Sequence, residues 1–188
     1  MGVEKKLADV SPQSVVILEF PAEQNQMKLA ADFLEFKGKT GSHGVYVSSN
    51  RPTNNLIEKL KDYGYDLKSD LENSRIWIVD LVSKNVGDAE VSGVIYVPSA
   101  SELSATQMAI ERAINHIKGR NGPGWLLLDS IATLLVFNSP DSLLEFLHFL
   151  LGRLRVLGFD GIIFTVREGI ETKVISTIRQ FCDAIIEL

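Results

Sequence analysis

The sequence contains one tripeptide of the kind that ends nucleotide phosphate-binding loops, Gly38-Lys39-Thr40. Such a loop needs glycines whose N–H groups surround the phosphate, a lysine for its charge and a hydroxyl for magnesium. Here Phe33 occupies the position of the first glycine, and the tripeptide follows a predicted helix where the motif requires a strand. We therefore interpret the tripeptide as the end of that helix and the turn after it.

The other reactive residue types form no catalytic or metal-binding pattern. The three histidines show no metal-ligand spacing and have no cysteine partners. The hydroxyls of Ser48, Ser130 and Thr165 have no adjacent His–Asp arrangement in the sequence, so nucleophilic catalysis has no support. The single cysteine, Cys182, lies beside a predicted buried strand and is interpreted as a small core residue.

The elements that position these residues alternate between strands and helices. The strands are predicted at Ser14–Phe20, Val45–Ser49, Arg75–Leu81, Val94–Val97, Trp125–Asp129, Phe159–Val166 and Ala184–Leu188. The helices are predicted at Glu23–Lys37, Thr53–Tyr63, from a Ser99–Glu102 capping box to Gly119, at Ser139–Leu157 and at Thr172–Gln180.

This alternation predicts an α/β fold with three layers, α/β/α, around a mostly parallel central sheet. Residues 14–188 are expected to form one domain, preceded by a polar, frayed lead-in over residues 1–13. In such sheets the ligand site lies at the carboxyl ends of the strands. We therefore expect the functional residues in the segments that directly follow four of the strands. The corresponding segments are Phe20–Asn25, Ser48–Arg51, Asp129–Ser130 and Arg167–Glu168.

The composition of the chain favours a soluble globular protein over a nucleic-acid binder or a membrane protein. The 188 residues are 45% hydrophobic and 23% charged, as in an ordinary globular domain. A net charge of −5 argues against a nucleic-acid binder that works by neutralising phosphates. No apolar run is long enough for a membrane span, and the N-terminus lacks the apolar stretch of a signal peptide. We expect a soluble, cytoplasmic protein with no membrane or nucleic-acid partner.

Four segments, taken together in their order and separations, resemble the KaiC-like branch of the RecA-type ATPases. They are VYVSSNRPTNNLIEKLKDYGYDL (Val45–Leu67), GWLLLDSIATLL (Gly124–Leu135), GFDGIIFTVREG (Gly158–Gly169) and CDAIIEL (Cys182–Leu188). The second of them resembles the Walker B strand of that family and the Asp-Ser that follows it. The resemblance covers most of the chain and implies a RecA-like domain.

The segment Phe20–Met27 departs from the family pattern, because it lies where the family has its Walker A loop. Phe20, Glu23 and Asn25 stand at the glycine positions, Gln26 at the lysine and Met27 at the hydroxyl. The carboxylate of Glu23 would also repel a phosphate at the helix N-terminus. The resemblance thus implies a degenerate loop. Lys28, one position beyond the missing lysine, either reaches toward an anion or points to solvent.

A second departure follows the second strand, where the family usually carries acidic residues, one of which activates the attacking water. Ser48, Ser49 and Asn50 occupy this place, and none of them is a useful base near neutral pH. Asp129, followed by Ser130, matches the Walker B position. If magnesium is bound, Asp129 would hold a metal-bound water; otherwise it is a structural hydrogen-bonding residue. Glu19 is expected to face the same site and to pair with Lys28 or Arg167.

These departures predict a pseudo-ATPase: a non-catalytic KaiC-like domain, with no cofactor expected, that acts through protein–protein interaction in signalling or regulation. Two alternatives stay open, namely a protein that still binds ATP with magnesium or another small ligand, and an enzyme of unrelated chemistry. The helix Ser139–Leu157 is apolar around nearly its whole circumference, which predicts a homo-oligomer or a protein partner through an outward residue such as Phe149. Packing of Thr172–Gln180 or the N-terminal tail on that helix is the other explanation.

Overall fold

The computed structural model describes residues 3–168 and 170–188. Residues 1 and 2 of the predicted lead-in, and Gly169 at the end of the third family-like segment, lie outside the described residues. The strands are β1 (Val15–Phe20), β2 (His43–Ser48), β3 (Ile76–Asp80), β4 (Val94–Tyr96), β5 (Gly124–Asp129), β6 (Asp160–Val166) and β7 (Ala184–Glu187). The helices are α1 (Val3–Ala8), α2 (Gln26–Lys39), α3 (Thr53–Asp62), α4 (Leu67–Glu72), α5 (Ser83–Val86), α6 (Leu103–Ile117), α7 (Ile131–Phe137), α8 (Pro140–Leu157) and α9 (Thr172–Phe181).

All seven strands pair into one parallel sheet in the order β4-β3-β2-β5-β6-β1-β7. The predicted α/β/α architecture is therefore confirmed, and the described sheet is parallel throughout. The strand order reverses between β2 and β5. The connection after β2 leads to β3 on one side of this point, whereas the connection after β5 leads to β6 on the other side. At this point Ser48 is in register with Asp129 on one side and with Asp80 on the other.

The sheet is buried on both faces, which explains why its strands are continuous apolar runs. One core lies between the sheet and α1 to α4, and it includes Trp125 and Phe33. The other core lies between the sheet and α6 to α9. Successive side chains of a strand enter opposite cores, so that Ile17 of β1 lies on the α6–α9 face while Leu18 lies on the α1–α4 face.

Four helices were not predicted: α1, α4, α5 and α7. The first replaces part of the frayed lead-in with an ordered turn that buries Leu7. The Ser99–Glu102 capping box is also wrong, because Glu102 is itself the residue before α6 and its side chain makes no capping bond. The start of α8 is as predicted: the Ser139 hydroxyl accepts a hydrogen bond from the N–H of Ser142, with Pro140 in the first turn.

Helix α8 is mostly covered within the chain. Its residues Leu143, Leu147 and Leu154 are fully buried, and α9 packs beside it, as the second explanation required. Two of its apolar residues remain outward: Phe149 is 56% exposed and Val156 is 79% exposed. None of the helices in the described ranges is both long enough and apolar enough to span a lipid bilayer.

Candidate functional site

The candidate site lies where β2 and β5 end, at the reversal of strand order, where ligands of parallel α/β sheets bind. Asp129, the last residue of β5, is fully buried on the α2 face of the sheet. Its two carboxylate oxygens accept hydrogen bonds from the phenol of Tyr46 in β2 and from the side-chain amide of Gln26 at the start of α2. The three side chains form a closed polar cluster, called here the Asp129 cluster.

Burial dominates the electrostatics of the Asp129 cluster. It raises the pKa of Asp129 to about 6, although the hydrogen bonds from Tyr46 and Gln26 and the positive charge of Arg51 act in the opposite direction. Burial, followed by the adjacent Asp129 charge, raises the pKa of Tyr46 well above its usual value. The phenol therefore remains a hydrogen-bond donor, and Asp129 is a carboxyl group that retains its proton more readily than a solvated one.

The serines at the strand ends hold the backbone of this corner together. Ser49 donates its hydroxyl hydrogen bond to the carbonyl of Asp129 at 2.9 Å and accepts one from the N–H of Ser130 at 2.9 Å. The hydroxyl of Ser48 donates to the carbonyl of Arg51 at 2.8 Å. The peptide bond between Asp129 and Ser130 is cis. The hydroxyls of Ser48 and Ser49 are thus engaged with the backbone.

The segment before α2 is closed by its own groups. The side chain of Asn25 accepts a hydrogen bond from the N–H of Lys28 at 3.1 Å and so caps the helix. The N–H of Gln24 donates to the carbonyl of Pro21, and the N–H of Ala22 donates to the carboxylate of Glu168 at 3.0 Å. Three of the N–H groups between β1 and the first turn of α2 therefore already have partners within the protein.

The structure separates the predicted site residues into two groups. Gln26, Ser48, Ser49, Asp129 and Ser130 meet at the ends of β2 and β5. The others lie elsewhere or face outward.

Phe20 and Met27 are buried in the α1–α4 core, where the ring of Phe20 packs edge-to-face on Phe164 with centroids 5.8 Å apart. Glu23 is exposed, and the ammonium of exposed Lys28 pairs with Asp32 at 2.9 Å. Of the two interpretations of Lys28, the structure therefore has it as a helix-surface charge.

The expectation for Glu19 was wrong. Its carboxylate pairs with the guanidinium of Arg179 in α9, at 2.7 and 2.5 Å, and not with Lys28 or Arg167. Glu19 alternates with Leu18 and so lies on the α9 face of the sheet, opposite the Asp129 cluster.

Two functional-looking residues were missed by sequence reasoning. One is Tyr46, because a tyrosine within an apolar strand is interpreted as a core residue and its hydroxyl group gives no separate signal. The other is Asp80, the last residue of β3, which is fully buried and accepts five hydrogen bonds, from the N–H and hydroxyl groups of Thr53 and Ser83 and from the N–H of Val82. The available signal was its position, because IWIVD ends in Asp as WLLLD does.

A cleft of about 480 Å³ adjoins the ends of β2 and β3. Its lining carries no charged side chain and includes Ser49, Asn50, Leu81 and Phe137. The side-chain oxygen of Asn50 is buried there, and no group in the described part of the chain forms a hydrogen bond with it. Within residues 3–168 and 170–188, no group of three or more His, Cys, Asp or Glu side chains is placed to hold a metal ion.

Comparison with known proteins supports the fold. The model of the family of unknown function DUF7504 matches residues 28–188. The uncharacterized protein PH0321 from Pyrococcus horikoshii, crystallised in complex with an unknown peptide, matches with a TM-score of 0.73 at 20% identity, over 98% of this chain and 81% of that one. The KaiC-like protein PH0186 from Pyrococcus horikoshii OT3 matches with a TM-score of 0.68 at 20% identity, over 94% of this chain and 71% of that one. No curated protein matches the sequence.

Proposed function

We propose that this chain, which belongs to the DUF7504 family of unknown function, is a non-catalytic KaiC-like domain that acts by binding another protein in a signalling or regulatory role. The fold is that of the KaiC-like neighbour. The observation that carries the proposal is the closed segment before α2. By the resemblance, this segment corresponds to the loop that binds the phosphates in RecA-type ATPases.

The residues present do not fit a nucleotide phosphate. A phosphate at a helix N-terminus is held by free backbone N–H groups, whereas Asn25 already caps the N–H of Lys28 and Glu168 already accepts from Ala22. The amide of Gln26, at the position of the family's lysine, supplies no positive charge and is bonded to Asp129. A triphosphate would have to displace these groups and approach the carboxylates of Glu23 and Glu168.

Protein binding is supported by the apolar side chains that this small domain leaves exposed. Val86 and Phe137 are each more than half exposed and line the same cleft, and exposed apolar side chains that cluster often mark interaction surfaces. Phe149 of α8 is also more than half exposed. The neighbour PH0321, which covers nearly all of this chain, was crystallised with a peptide. A related fold of similar size is therefore compatible with peptide binding.

Calorimetric titration of the purified protein with ATP and ADP, each with and without magnesium, tests the first half of the proposal. We expect no binding heat and no phosphate release above background. A saturable titration, or phosphate release that Asp129→Asn abolishes, would contradict it.

One observation favours a second candidate function, the binding of a small ligand at the strand ends. The uncharged 480 Å³ cleft beside Ser49 and Asn50 has a volume typical of ligand pockets. A screen of neutral and nucleotide ligands by thermal unfolding tests this candidate, since a ligand at 100 times its dissociation constant adds about 2.7 kcal/mol of stability. A rise in melting temperature that Phe137→Ala removes would favour the small-ligand function over protein binding.

A further inference from the structure

A groove of about 640 Å³ runs between the N-terminal halves of α6 and α8, at the outer surface of the α6–α9 layer. Its walls combine apolar side chains with carboxylates. This α6–α8 groove is defined here by Glu102, Leu103, Glu145, Phe146 and Phe149.

The charge of the α6–α8 groove has one sign. Glu102 and Glu145 are the charged residues of its lining, which contains no lysine or arginine. Both are exposed, and neither forms an ion pair with any residue of the described ranges. By contrast, Glu111, farther along α6, pairs with Arg153 of α8 at 2.9 Å. Charges of α6 and α8 thus pair with each other beyond the groove, whereas the two carboxylates within it have no such partner.

The apolar part of the groove provides an anchoring position. Phe146 is 4% exposed and belongs to the core below, while Phe149 is 56% exposed. An aromatic ring of this kind contributes much of the contact area when a partner covers it, and aromatic residues are frequent among those that dominate binding energy. Glu145 precedes Phe149 by four residues, so the carboxylate and the ring share one face of α8.

We propose, building on the proposed function, that the α6–α8 groove binds a segment of another protein that carries an apolar side chain flanked by lysine or arginine. The apolar side chain packs against Phe149, and the cations lie near Glu102 and Glu145. Charge complementarity selects this partner, since opposite charges across an interface speed association and exclude wrong partners. A second copy of this chain is disfavoured as the occupant, because its net charge of −5 opposes docking on an acidic groove.

A displayed library of random 12-residue peptides, selected on the wild-type protein, tests this inference. We expect the enriched peptides to combine Lys or Arg with Leu, Ile or aromatic residues. In fluorescence anisotropy with a synthetic copy of an enriched peptide, Phe149→Asp should weaken binding about tenfold or more. Glu145→Gln should weaken it about two- to fivefold, with a smaller effect of salt than in wild type.

Val156→Asp is the matched control, because it makes the same change of charge on the same helix, at a residue that is 79% exposed and outside the groove lining. It should leave peptide affinity unchanged, and circular dichroism should show all three variants folded. Enriched peptides that bind Phe149→Asp as tightly as wild type would overturn the groove assignment and leave the proposed function standing. If no peptide is enriched over an unrelated protein, the inference fails, while the nucleotide titration decides the proposed function separately. A light-scattering mass above that of a monomer, lowered by Phe149→Asp but not by Val156→Asp, would make a second copy the occupant and refute the inference.

Discussion

Neutralising the buried carboxyl group of the Asp129 cluster should stabilise the protein at neutral and alkaline pH. Burial raises the pKa of Asp129 from its ordinary 3.8 to about 6. Since each pKa unit corresponds to about 1.4 kcal/mol, the ionised carboxylate costs the folded state about 3 kcal/mol. The folded state binds more protons than the unfolded state between these two values. The free energy of unfolding therefore falls as the pH rises from about 4 to about 6, and the full cost applies above that window.

Asp129→Asn keeps the shape of the side chain and removes the charge. The new amide oxygen can accept from Tyr46, and Gln26 can rotate its own amide to accept from the new NH₂, so both hydrogen bonds have replacements. We expect the variant to be more stable than wild type by about 1–3 kcal/mol at pH 8, and the difference to vanish near pH 4. Other carboxyl groups titrate equally in both proteins and cancel from the difference.

Urea unfolding at several pH values, followed by tryptophan fluorescence, measures this difference, because Trp125 is buried in the same strand. Asp80→Asn is the control: one amide oxygen cannot accept the five hydrogen bonds that Asp80 accepts, so this variant should lose about 2–4 kcal/mol at pH 8. If Asp129→Asn is instead destabilised at pH 8 to the same extent as Asp80→Asn, then the charge of Asp129 is compensated by a bound cation or by its hydrogen bonds, and the reasoning fails.

Three further predictions concern the loop, the ion pair and the core. Gln26→Lys alone should create no ATP binding in calorimetry, because it supplies the charge but not the free N–H groups. Micromolar affinity would mean that the loop already has the shape of a phosphate cradle. Arg179→Ala should lower the free energy of unfolding by about 2–3 kcal/mol, because it leaves the buried carboxylate of Glu19 unpaired; an unchanged urea midpoint would show that Glu19 is solvated. Gly44→Ala should cost about 3 kcal/mol, because the added Cβ would lie 2.0 Å from the ring of Trp125, and a native midpoint would contradict this packing.

Two of these variants have matched controls. Adding Glu19→Gln to Arg179→Ala removes the unpaired charge, so the double variant should recover part of the loss. Gly152→Ala, in the exposed part of α8, adds the same methyl group with nothing within 4 Å. It should raise stability by up to about 1 kcal/mol, because glycine disfavours helix.

The sequence was sufficient to predict the sheet, because strands buried on both faces consist of nearly uninterrupted apolar residues, as in Ser14–Phe20 and Trp125–Asp129. It was not sufficient for the short helices. Leu67–Glu72 has six residues, which is fewer than two helical turns and too short for a repeated apolar stripe. Its start depends on the side chain of Asp66, which accepts a hydrogen bond from the N–H of Ser69. The local pattern of such a segment is equally compatible with a loop.

The site was predictable only in part for a related reason. The position of Asp129 as the last residue of a predicted strand placed it at the carboxyl edge of the sheet, where the structure also has it. The side of the sheet that Glu19 faces could not be read from its neighbours, because an all-apolar strand shows no alternation. Its partner, Arg179, lies 160 residues away in the sequence. Tyr46 and Gln26 are brought to Asp129 by the crossovers between strands, which no local pattern encodes.

The strand order also has a consequence for how the molecule assembles during synthesis. β1 is made early but pairs only with β6 and β7, which are the last strands of the described sheet to be made. About 140 residues separate the end of β1 from the start of β6, so at about 5–20 residues per second β1 remains without a neighbouring strand for roughly 7 to 30 seconds. Over that interval the sheet can grow only from β2, β3, β4 and β5, so the nascent chain carries an unpaired hydrophobic segment that a chaperone could hold until the C-terminal strands emerge.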